Sequence, residues 1–116
     1  MAEPDEPTQE TPDAFTVLVI ACPSAVVNAC QNAVLAIGAK VHHAELVRDA
    51  ATIAARVRPL VLVMPRAIYS FDTQEFDHLA RDVGGVVMIL PDEGLTKSAL
   101  KSQLLGCMGD ASRIRG

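Results

Sequence analysis

The sequence predicts an α/β fold, a three-layer sandwich in which a four-stranded parallel sheet is covered by helices on both faces. Three observations predict it. First, strand-like apolar runs alternate with helical periodicities four times along the 116 residues. Second, two of the runs (residues 17–21 and 60–64) are apolar throughout, as strands buried on both faces are. Third, 50% of the residues are hydrophobic but only 3% are aromatic, so the core must be Val, Leu, Ile and Ala, the material of buried strands under Ala-rich helices. Right-handed crossovers between parallel strands then give the order 2-1-3-4, with the switch point between strands 1 and 3.

Residues 15–21 form the first expected strand, and the chain is organised around the turn that follows it, Cys22-Pro23-Ser24. Ser24 reads as the N-cap of a helix with Val26, Cys30, Ala33, Val34 and Ile37 on one face, ending at Gly38. Residues 40–45 read as a short second strand. Between 46 and 57, Val47, Ala50, Ala51, Ala54 and Val57 mark the inward face of a second helix. Pro59 ends it, the third strand follows at 60–64, and residues 65–71 read as a loop. Asp72 with Glu75 resembles a capping box and opens a third helix, with Phe76, Leu79, Ala80 and Val83 inward and Gly84-Gly85 at its end. The fourth strand, 86–90, is closed by Pro91. Leu95, Thr96 and Leu100 resemble a hydrophobic staple opening the last helix, whose inward residues are Leu100, Leu104 and Met108.

The organisation is a single domain at residues 14–109, with residues 110–116 expected to fray. Residues 1–13 read as a disordered acidic tail, because Pro, Thr and acids bury too little apolar surface to offset the cost of ordering. That tail holds five of the 14 acids and no base, leaving 9 acids against 10 bases, so the net charge of −4 comes from the tail. A near-neutral body with one Tyr and no basic face argues against nucleic acid as a partner. Three cysteines with no CxxC spacing fit free thiols in a reducing compartment. No targeting segment or membrane-length apolar run is present, so a cytoplasmic protein with no membrane partner is expected.

Open parallel sheets place their sites at the carboxyl edge, which points to Cys22 and the neighbouring loops. A thiol at a helix start can become a thiolate nucleophile, but a free Cys is also a common small core residue. His42 and His43 are adjacent on a strand and face opposite sides, so they make no metal pair, and no metal is expected. Asp92 and Glu93 form an acidic pair after strand 4 that could face Cys22 and Arg66, or simply a polar turn. In the 65–71 loop, Arg66 and Tyr69 are residue types that anchor protein contacts. The alternative is a loop tucked under its own Ile68 and Phe71. No phosphate-cradling glycine loop, Ser-His-Asp set or HExxH motif occurs.

Residues 16–41, with Leu35-Ala-Ile-Gly-Ala-Lys-Val41, resemble the first half of the receiver domains of two-component response regulators, which are flavodoxin-like. Arg58-Pro59-Leu60-Val-Leu-Val-Met64 resembles their third strand, and Leu90-Pro91 with Leu95-Thr96-Lys-Ser-Ala-Leu100 resembles their final strand, loop and helix. The departures fall on the chemistry. Receivers carry a Mg²⁺-binding acidic pair where this chain has Ala21-Cys22. They carry a phosphate-accepting Asp where it has Met64 or Pro65, and a Lys where Asp92 stands nearest. The chain also has one strand–helix unit fewer than their five. The resemblance thus implies a bacterial pseudo-receiver without cofactor. Its expected role is a non-phosphorylatable interaction module in intracellular signalling or scaffolding, binding another protein or itself as a homodimer. Its contact residues would be Arg66, Tyr69, Asp92 and Glu93.

A second, local resemblance concerns Ala21-Cys22-Pro23-Ser24-Ala-Val-Val-Asn28, which is similar to the first turn of fructose-type IIB components of the bacterial phosphotransferase system. It implies an alternative enzyme reading in which Cys22 accepts a phosphoryl group and the backbone at Ser24 and Ala25 holds it. Helix-start N–H groups suit such an anion. At Ala25 the sequence departs from that family's Gly, which restricts how far the backbone can open.

Overall fold

A computed structural model describes residues 15–115; the acidic tail expected at residues 1–13 lies outside them. The strands are β1 (Thr16–Ile20), β2 (Lys40–Ala44), β3 (Val61–Pro65) and β4 (Val86–Leu90). The helices are α1 (Ser24–Val34), α2 (Ala50–Val57), α3 (Arg66–Phe71), α4 (Thr73–Val83) and α5 (Lys97–Arg115). All strand pairs are parallel and their order is 2-1-3-4, the flavodoxin-like arrangement expected from the sequence. Val17, Leu18 and Val19 of β1 lie level with Val61, Leu62 and Val63 of β3, so the two fully apolar runs form the middle of the sheet.

Alternation along each strand builds two cores. Val17, Val19, Val61, Val63, Met88 and Leu90 point to one face, where they meet Cys30 and Val34 of α1 and Leu100, Leu104 and Met108 of α5. Leu18, Ile20, Leu62 and Met64 point to the other, where they meet Ala50 and Ala54 of α2 and Phe76, Ala80 and Val83 of α4. The alanines matter here, because a side chain of one methyl lets α2 lie close on the strands.

Several boundaries differ from the sequence expectation; α1, for one, ends at Val34, and the 3₁₀ turn Leu35–Ile37 after it leaves Ile37 exposed rather than inward. Residues 66–71 are helix α3 rather than a loop: Pro65 supplies an extended entry at φ −64°, and nothing in the next six residues breaks a helical turn. Ser24 is the first residue of α1 rather than its cap; Pro23 takes the extended cap position, and no side chain caps the helix. Residues 47–49 form a 3₁₀ turn ahead of α2, which shifts the helical phase and leaves Val47 exposed and Ala51 outward. At the other end, α5 keeps helical geometry through Arg115, with Ala111 fully buried beyond the point where fraying is expected.

Other terminators follow their residue types. Asp72 accepts a hydrogen bond from the Glu75 amide at 3.4 Å, and Thr96 accepts one from the Ala99 amide at 3.1 Å. Gly84 and Gly85 divide the exit of α4 between them. Gly84 takes the left-handed conformation at φ +73°, while a Cβ on Gly85 would stand 2.5 Å from the Pro59 carbonyl oxygen. Only glycine lets β4 approach the start of β3 this closely.

Candidate functional site

The turn after β1 sits where the sequence places it, at the carboxyl edge beside the end of β3. Ala21 is held in the left-handed region at φ +53°, and its N–H donates to the Ala44 carbonyl at 2.8 Å. That bond ties the turn to the end of β2. An L-residue with a Cβ pays about 1 kcal/mol for such a conformation. The kink turns Cys22 inward, where its side chain is buried and its thiol donates to the Ile20 carbonyl at 3.4 Å.

Burial pushes the Cys22 thiol up to about 12, with the nearby Cys30 adding to the effect. Burial alone raises Cys30 to about 11. A thiol so placed stays protonated at neutral pH, and a protonated thiol is a poor nucleophile. The acidic pair anticipated as a neighbour contributes nothing to this shift.

Above the turn lies a groove of about 550 Å³, lined by Cys22, Pro23, Ser24, Asn28, His43 and Glu45 among others. Val26 and Val27 direct their amides to the Pro23 carbonyl at 3.0 and 3.2 Å. The amides of Ser24 and Ala25 belong to the first turn of α1, which offers them no acceptor within the helix. His43 faces the α1 side of the sheet, and its buried Nε2 has no hydrogen-bond partner among the described residues. His42 faces the other way, where burial first, then Arg56 and Lys40, lower its pKa. The two rings diverge as neighbours on a strand must. Among the described residues no group of three or more His, Cys, Asp or Glu is arranged to hold a metal.

Asp92 and Glu93 do not line this groove; its carboxylate is Glu45. They are exposed in the turn after β4, closed by the Gly94 amide on the Pro91 carbonyl at 2.9 Å. Arg66 is exposed at the start of α3. Tyr69 is half-buried: its hydroxyl donates to Asp77 Oδ1 at 2.7 Å, and its ring stacks on Phe76 with centroids 6.5 Å apart. Ile68 packs on the α2/α4 core. The tucked alternative is met only at Ile68, since Phe71 stands 91% exposed.

Phe71 is the residue that sequence reasoning missed. With Val47, Arg48, Asp72, Phe76 and Leu79 it lines a cleft of about 260 Å³ between α2 and α4. Recognising 66–71 as helical would have placed Phe71 at its outer end, but six residues carry too little periodicity to show it.

Compared with known protein families the sequence matches none, and no curated protein matches it either. No helix among the described residues is long and apolar enough to cross a membrane.

Proposed function

We propose that this chain is a receiver-like protein-interaction module that performs no phosphotransfer of its own and acts in intracellular signalling or scaffolding. Its contact surface is the carboxyl edge of the sheet around α3. The observation that supports this most is Phe71, an aromatic ring left 91% exposed beside an apolar cleft. Aromatic anchors flanked by polar groups are what protein interfaces concentrate their energy in. Arg66, Asp92 and Glu93, exposed on the same edge, supply the polar rim, and Tyr69 braces α3 against α4 through Asp77. The IIB-like phosphocarrier remains the alternative that the turn itself raises. It requires a thiolate at Cys22, which burial opposes.

A photo-cross-linking residue installed at Phe71 in the native cell tests the reading. A discrete adduct with one partner is expected, and it should be lost when Arg66→Ala and Val47→Asp are added. No adduct from position 71, or one that survives those changes, overturns the surface. Phosphoryl label taken from a phosphohistidine donor and abolished by Cys22→Ser establishes the carrier instead.

A further inference from the structure

The sheet has two edges, and they differ in kind. β2, at one end, carries Lys40, His42 and His43, polar residues that discourage pairing with another strand. β4, at the other end, reads Val-Val-Met-Ile-Leu, with no charge, proline or glycine along its five residues. Val86, Val87 and Ile89 are only half-buried. An apolar edge without protection is a template for another strand.

The hydrogen-bonding pattern defines what that strand would meet. Val86 donates to the Leu60 carbonyl at 2.9 Å, so Val86, Met88 and Leu90 direct their backbone groups toward β3. By alternation Val87 and Ile89 direct theirs outward, where β4 pairs with no strand among the described residues. Beside this edge runs a groove of about 450 Å³ lined by Val87, Ile89, Tyr69, Asp77 and Arg81.

We propose that the chain forms a two-fold dimer by antiparallel pairing of β4 with β4 of a second copy, making one continuous eight-stranded sheet. The edge is self-complementary about Met88. With the two-fold axis there, Val87 and Ile89 of one copy face Ile89 and Val87 of the other as hydrogen-bonded pairs, and each outward donor and acceptor finds its match. Their side chains then sit side by side as apolar cross-strand pairs. Charge agrees with the same axis. Asp77 and Arg81 lie one turn apart on α4, and α4 runs back along β4. Arg81 of each copy is thereby carried toward Asp77 of the other, so the groove wall supplies both signs. This deepens the binding reading by naming the chain itself as one partner. Contact at Phe71 and pairing at β4 occupy different places, so either can fail alone.

Sedimentation velocity on the full chain over a range of concentrations tests it. A reversible dimer is expected. Val87→Lys and Ile89→Glu should each weaken association by about tenfold or more, since either sets a charge against an apolar partner. Mixing the two variants should restore a dimer, because position 87 of one copy faces position 89 of the other. Ile89→Pro removes only an outward amide, so it should give a monomer whose circular dichroism is unchanged. A full chain that is monomeric at every concentration, a dimer indifferent to both charge variants, or charge variants that fail to pair when mixed overturns the proposal.

Discussion

Cys22 is a buried thiol at the carboxyl edge, and its protonation state has measurable consequences. At alkaline pH a thiol reagent should modify the half-buried Cys107 first in the folded chain, slowed because burial and then Asp110 raise its thiol pKa, whereas Cys22 and Cys30 should react only on unfolding. Mass mapping of the adducts checks this, and early labelling of Cys22 would show that the thiol is reachable. His42 gives a second prediction. Its folded pKa lies below the ordinary 6.5, through burial first and then Arg56 and Lys40. The unfolded chain thus takes up the proton more readily. The stability due to the neutral ring is full above pH 6.5 and is lost as pH falls through the lower folded value. The decline of Tm on acidification from neutral pH should be shallower in His42→Gln than in the parent chain, and parallel declines would show that His42 carries none of it.

Among the elements, the strands were legible and the short helix was not, for physical reasons. A strand buried on both faces must be apolar at every position, as Val17–Ile20 and Val61–Met64 are, although the edge strand β4, half-buried at Val86, Val87 and Ile89, is equally apolar. α3 has one turn and a half, begins right after a proline and mixes Arg, Tyr and Ser, so its sequence resembles a loop. Its helical form is set by the close of β3 before it and the Asp72 cap after it. The glycines at element ends separate two causes. Gly38→Ala meets no neighbour but keeps a left-handed φ of +73°, so it should cost ~1 kcal/mol. Gly85→Ala drives a Cβ to 2.5 Å from the Pro59 carbonyl and should cost ~2–3 kcal/mol. Urea titrations of both variants check the order; equal losses would mean that the β4 approach relaxes freely.

For the whole molecule, the central sheet divides two cores that share strands but no side chains. Ile20→Val, on the α2/α4 side, should cost ~1 kcal/mol, and Leu104→Ala, within α5 on the opposite side, ~2–4 kcal/mol. Their effects should add to within ~0.5 kcal/mol in the double variant, as distant sites do. A larger discrepancy in chemical denaturation would show that the sheet transmits strain between layers. This layering was readable from the alternation of strand and helix. The surface was less so, because which apolar residues stay uncovered depends on how the helices end, as Phe71 and Val47 show.

The bend at Ala21 carries a consequence for what this scaffold could become. A positive φ tolerates Asp and Asn far better than β-branched residues. Position 21 therefore already has a backbone shaped for a carboxylate, anchored by its bond to Ala44. Retrofitting an acid there asks for a new side chain but no new route for the chain, so one substitution would place a carboxylate at this edge of the sheet.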